Sequence, residues 1–266
     1  MERKNSALLK VDRLTRRFGG VLALNDLSFE VSECQIKSII GPNGAGKTTL
    51  FNLLTGLLPP SSGRITYGDR EIGGKKPYVI ARMGVSRSFQ NVEIFDNMSV
   101  MENVMLGFHC RTRYGAFSNA FRRRKAVEEE KYIREEALQK MEIVGLGSEA
   151  HSSPASLPFG KRRLVEFARA LATSPKLLLL DEPASGLNMR ETDQIANLIC
   201  KIRDSGVTVM LVEHDMSVVM EISDHVLVLD FGTKIAEGKP RDVQRNEEVI
   251  ARYLGRTNHY AENPKS

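Results

Sequence analysis

The stretch Gly41-Pro42-Asn43-Gly44-Ala45-Gly46-Lys47-Thr48 constrains this chain more than any other. It satisfies G-x-x-x-x-G-K-[ST] without a gap, after an apolar run, Ile36–Ile40, and ahead of a helix-like segment over residues 47–57. A strand that feeds a glycine loop and then a helix makes a phosphate cradle. Glycines let the backbone close around phosphate oxygens so that several amides point inward. The helix that starts at Lys47 adds the positive end of its dipole. Lys47 is placed to reach the β- and γ-phosphates, the Thr48 hydroxyl to ligate magnesium, and Thr49 continues the same binding stretch.

Around that loop, strand and helix patterns alternate. Residues 7–14 and 22–31 alternate apolar and polar side chains across a turn at Phe18-Gly19-Gly20, which predicts an N-terminal antiparallel β-unit. Phe18 reads locally as core packing, with a ring for an adenine as the alternative. A short strand over 64–67 precedes a turn at Gly68-Asp69, and a strand-like piece over 85–90 ends at Gln90, locally a surface residue. Over about 91–165 helical patterns take over, which predicts an inserted helical subdomain. Its clearest helix, 126–144, carries Ile133, Ala137, Met141 and Val144 on one face and the pairs Glu130/Arg134 and Glu136/Lys140 on the other. The run Arg122-Arg123-Arg124-Lys125 reads as a solvated face.

After the insertion the alternation returns, with helices over 161–173 and 188–204 and strands over 177–180, 207–212 and 226–230. Strands alternating with helices imply an α/β fold with a mainly parallel sheet covered on both faces. One domain over 7–255 and a polar, loose tail over 256–266 are expected. The 266 residues suffice for one large core, and a net charge of +5 is too modest to call for nucleic acid. Cys34, Cys110 and Cys200 have no metal-type spacing and suit a reducing compartment. No stretch approaches the roughly 20 apolar residues of a membrane span. A cytosolic chain is expected, with any membrane role supplied by a partner.

The second strong motif is Leu177-Leu178-Leu179-Leu180-Asp181-Glu182. Four apolar residues bury the strand, and two carboxylates emerge at its carboxyl end, where parallel sheets hold ligands. Asp181 suits magnesium, and Glu182 could orient and deprotonate an attacking water.

Leu157-Pro158-Phe159-Gly160-Lys161, running into Arg162-Arg163-Leu164, resembles the signature block of ATP-binding cassette ATPases, usually L-S-G-G-Q. The loop at Gly41, Phe89-Gln90, Asp181-Glu182-Pro183, Ser185-Gly186-Leu187-Asn188 and His214 follow that family's order. The resemblance implies a P-loop NTPase (RecA-like) core that binds ATP and Mg²⁺ and hydrolyses ATP. It moves Phe18 to the ring that stacks on adenine, and makes Gln90 a magnesium contact that couples the site to the helical subdomain. His214 becomes the switch histidine near the γ-phosphate. Pro158, Phe159, Gly160, Lys161 and Asn188 would meet nucleotide held by a second subunit. Two departures stand out. Pro158 removes the signature hydroxyl and a backbone donor, and Lys161 replaces glutamine, where it could offset part of that loss.

With one nucleotide loop and no membrane span, the chain is similar to the stand-alone ATP-binding subunits of bacterial importers for branched-chain amino acids. Arg17-Phe18-Gly19-Gly20, Arg87-Ser88-Phe89-Gln90-Asn91, Glu213-His214-Asp215-Met216 and Tyr253-Leu254-Gly255 carry that finer likeness. It implies a head-to-tail dimer with itself or a sister ATPase, permease subunits in the membrane, a periplasmic solute-binding protein, and a peripheral place on the cytoplasmic face of the inner membrane. Subunits serving urea, short amides or other amino acids are the alternative, and a soluble, non-transport cassette ATPase a more distant one.

Overall fold

A computed structural model describes residues 7–88, 93–110 and 123–251. The strands are β1 (Ala7–Phe18), β2 (Val21–Ser32), β3 (Ile36–Ile40), β4 (Ser62–Tyr67), β5 (Arg70–Glu71), β6 (Val85–Arg87), β7 (Leu177–Asp181), β8 (Thr208–Val212), β9 (His225–Asp230) and β10 (Thr233–Gly238). The helices are α1 (Lys47–Leu54), α2 (Pro77–Arg82), α3 (Val100–Met105), α4 (Arg123–Ile143), α5 (Phe159–Ala172), α6 (Met189–Asp204), α7 (Met216–Ile222), α8 (Pro240–Gln244) and α9 (Glu247–Val249).

Two sheets divide these strands. The N-terminal sheet is antiparallel, ordered β2-β1-β4-β5, with Phe18 opposite Val21 across the Gly19-Gly20 turn. The second is ordered β10-β9-β3-β8-β7-β6; its internal pairings are parallel, and β10 adds an antiparallel edge. Helices cover this sheet on one face, and the N-terminal sheet with α1 covers the other.

The unbroken apolar runs follow from that sandwich, because alternate residues of a strand face opposite sides. Leu178 and Leu180 of β7 pack with α3 to α6, while Leu177 and Leu179 pack with α1 and the N-terminal sheet. Val209 and Leu211 of β8 share the first cluster, and Met210 and Val212 the second. The helical subdomain joins the first cluster through α3, α4 and α5. On α4, Ala137 and Met141 are buried and Ile133 partly so, Val144 just beyond the helix is buried too, and Arg134 pairs with Glu130 at 3.6 Å and Lys140 with Glu136 at 3.9 Å.

Two details differ from the sequence expectation. The first helix ends at Leu54, because Gly56 takes φ +74°, and a Cβ there would lie 2.2 Å from the Lys75 carbonyl oxygen. β10 and α2, six residues each, are elements the sequence does not signal, because runs that short carry no sustained period. Gln90 and the tail after 251 lie outside the described residues. Leu178→Ala should lower stability by about 2–5 kcal/mol, as a fully buried leucine truncated in a close-packed layer. Urea unfolding should show that loss as a lower midpoint at unchanged slope.

Candidate functional site

Each parallel strand ends in a polar group, and the sheet order brings those ends together. β3 runs into the glycine loop, β7 into Asp181-Glu182, and β8 into Glu213-His214; Ile39 and Asp181 both register with Val212 of β8. The glycine loop, the two carboxylates and His214 therefore lie at the same end of the sheet.

The loop is fixed by close approach. A Cβ on Gly41 (φ +153°) would lie 2.1 Å from the Leu229 carbonyl oxygen, and one on Gly46 (φ +99°) 2.7 Å from that of Ala23. Only glycine fits either place, so the loop is wedged between β9 and β2. The Ala45 amide donates to the Pro42 carbonyl at 3.1 Å, and Gly46 caps α1 without a side-chain bond. The Lys47 ammonium donates to the carbonyls of Gly41 at 2.6 Å and Pro42 at 3.0 Å. Burial lowers its pKa, against the opposing pull of Glu182 and Asp181. A cavity of about 470 Å³ spans Val21 to Ala23, Asn43 to Thr49, Glu182 and Phe231.

Asp181 is buried, and its Oδ2 accepts from Arg87 Nη2 at 2.6 Å. The other arm of Arg87 donates to Asn52 of α1 at 2.6 Å, and its guanidinium lies 5.4 Å from the Phe51 ring centroid. One side chain thus ties β6, β7 and α1 together. Glu182 follows in the left-handed region (φ +49°), a strain of about 1–2 kcal/mol for a residue with a Cβ. Its Oε2 lies 3.9 Å from His214 Nδ1, and the imidazole is 61% exposed. Glu213 is buried and braces both loops; its carboxylate accepts from the amides of Ala184 (2.9 Å) and His214 (3.0 Å).

The residues expected to act in trans cluster elsewhere. Pro158 is the N-cap of α5, Phe159 is exposed, and Gly160 is buried against Glu191, whose Oε1 would be 2.5 Å from a Cβ there. Asn188 caps α6; its Oδ1 accepts from the Glu191 amide at 3.0 Å. Lys161 pairs with Glu149 and holds that carboxyl below its ordinary range, so its charge is engaged inside the helical subdomain. Pro158, Gly160 and Lys161 line a cavity that shares no residue with the one at the glycine loop. Phe18 is 42% exposed, carries the Arg16 guanidinium 4.6 Å from its ring centroid, and does not line the loop cavity. Either side of Gln90, the Ser88 amide donates to Leu179 O at 2.9 Å and the Glu93 amide to Glu166 Oε1 at 3.1 Å.

Thr48 and Asp181 offer hard oxygens, and among the described residues no cluster of three or more His, Cys, Asp or Glu side chains could cage a metal. That donor set fits magnesium, which takes one or two protein oxygens and completes its shell with phosphate and water. Arg87, Asn52 and Glu213 are not legible as site residues in the sequence, because their contacts span distant segments.

Residues 24–185 match the model of the ABC transporter family, and 233–257 that of the branched-chain amino acid ATP-binding cassette transporter. The chain is 44% identical over 249 residues to the high-affinity branched-chain amino acid transport ATP-binding protein BraF of Pseudomonas aeruginosa, covering 93% of this chain and 98% of that one. Its counterpart LivG of Salmonella typhimurium is 43% identical over the same shares. The crystal structure of the ADP conformation of MJ1267, an ATP-binding cassette of an ABC transporter, superposes with a TM-score of 0.82 at 30% identity, over 94% of this chain and 99% of that one. Arg87→Met should cost about 3–5 kcal/mol of stability in urea unfolding, by leaving Asp181 buried without its cation.

Proposed function

The chain belongs to the ABC transporter family, and on that premise we propose that it is the ATP-hydrolysing subunit of an importer for branched-chain amino acids. The chain binds ATP and is an ATPase. The match over 233–257 is the observation that favours branched-chain amino acids over other solutes.

In this reading ATP lies along the glycine loop, with Lys47 on the β- and γ-phosphates and amides of Gly44 to Thr48 around them. Thr48, Asp181 and Gln90 are the residues that would hold Mg²⁺, which when bound would screen the charge of the phosphates. The Glu182 carboxylate accepts the proton of a water that attacks the γ-phosphorus, and the bond to the β,γ-bridging oxygen breaks to give ADP and phosphate. His214 sits where a donor would stabilise charge on the transferring group. The strained backbone at Glu182 and the bracing by Glu213 support this assignment, because both hold the backbone that carries the carboxylate.

The first turn of α5 and the residues before α6 complete the site from a second cassette, a copy of this chain or a sister subunit. Their separation from the chain's own loop supports that arrangement. Because Lys161 is held by Glu149, the amides at the start of α5 take over the contact the signature hydroxyl would make. Permease subunits dock in a groove lined by Ser86 to Ser88, Ile94, Phe95 and Arg162, flanking Gln90. No described helix is long and apolar enough to cross a membrane. The chain then sits peripherally on the cytoplasmic face, and a periplasmic binding protein delivers the solute to the permease.

Glu182→Gln should bind ATP with near-normal affinity yet lose hydrolysis by roughly 10²-fold or more. In cells lacking the chain, the wild type should restore uptake of labelled leucine and the variant should not. Near-normal hydrolysis by Glu182→Gln would remove Glu182 from the role, and full leucine uptake without the chain would remove the transport assignment.

A further inference from the structure

The β9–β10 hairpin closes through only two residues, Phe231 and Gly232, since Asp230 registers with Thr233. Both have positive φ, +43° and +77°, as a type I′ turn requires. Such turns take Asn, Asp or Gly at the first position, and a bulky residue there is a conformational outlier. Packing within the chain does not repay the strain, because Phe231 is 82% exposed. An outlier of this kind, held rigidly beside a ligand cavity, is where a functional constraint is expected.

The turn is locked to the nucleotide loop. The Gly232 amide donates to the Ala45 carbonyl at 3.1 Å, and the Asn25 amide donates to the Gly232 carbonyl at 2.9 Å. A Cβ on Gly232 would lie 2.6 Å from the Ala23 carbonyl oxygen, so the turn cannot drift from β2. Phe231 lines the loop cavity together with Val21 and Lys47. We propose that Phe231 is a nucleoside-binding residue, its ring packing against the base or ribose of the nucleoside triphosphate whose phosphates lie in the loop. Arg16 already stacks on the Phe18 ring, which lies outside the cavity, so Phe231 supplies an aromatic contact there that Phe18 does not. Stacking on an aromatic tolerates any base, because every base has a π-face. The contact therefore adds affinity for ATP and GTP alike. This inference rests on the nucleotide site proposed above.

The test uses the full-length chain, at concentrations where it is monomeric, titrated calorimetrically with ATP, GTP and inorganic tripolyphosphate. Phe231→Asn installs a residue the turn prefers, so its melting temperature should hold or rise, while the Kd for ATP and for GTP increases roughly tenfold. Tripolyphosphate should bind both proteins within about twofold, since it has no base to stack. Phe231→Trp should keep ATP affinity, and because the chain has no other tryptophan, its fluorescence should change on ATP binding and not on tripolyphosphate. Unchanged ATP affinity in Phe231→Asn overturns the proposal, as does an equal loss for tripolyphosphate. A defect confined to association of two chains, with monomer affinity intact, makes Phe231 an interface residue and also overturns it. A wild-type chain that binds neither ATP nor tripolyphosphate removes the nucleotide site itself, and this inference with it.

Discussion

The buried pair between Arg87 and Asp181 is the contact on which the nucleotide edge depends. Both side chains are almost fully buried, at 6% and 4% exposure, where an unpaired charge would be costly. Arg87 answers Asp181 with one arm and Asn52 with the other, so the strand that carries the carboxylates cannot shift relative to the helix behind the phosphate loop. The same arginine lines the groove beside the helical subdomain. A partner seated there would press on the element that orients Asp181. Under the proposed docking, Arg87 would then connect the groove directly to the nucleotide edge.

Around this pair the parallel sheet does the placing. Four strands buried on both faces, β3 and β7 to β9, carry this chemistry at or beyond their carboxyl ends, where the loop, Asp181, Glu182, Glu213 and His214 gather. The block from Pro158 to Lys161 belongs to α5, whose buried side packs in the helical layer and whose first turn opens on a different cavity. In the function proposed above, these are the two halves of a composite site, and association of two cassettes would unite the loop of one with the α5 terminus of the other.

Much of this was legible in the sequence, for physical reasons that differ by element. The glycine loop and the run Leu177–Asp181 were readable because every residue there answers a local demand: positive φ, close backbone approach, or burial on both faces. The stripe on α4 was readable from its period. Phe18, Gln90 and His214 had no local signature and took their roles from the family pattern alone. Arg87 and Glu213 were hidden, because their function is to hold segments that the sequence keeps far apart, 94 residues in the case of Arg87 and Asp181. Phe231 was hidden for the opposite reason. Its conformation is the signal, and a phenylalanine before a glycine gives no hint of a positive φ until the backbone is seen.

The composite site is tested most directly by single-turnover ATP hydrolysis as the full-length chain is diluted, with sedimentation reporting association in the same samples. Where only monomer sediments, the chain should still bind ATP while hydrolysis per chain falls roughly 10²-fold, since the α5 amides of a second cassette are missing from the transition state. Adding back cassette subunit should restore the rate. A monomer that hydrolyses ATP as fast per chain as the associated protein would contradict a site shared between two chains.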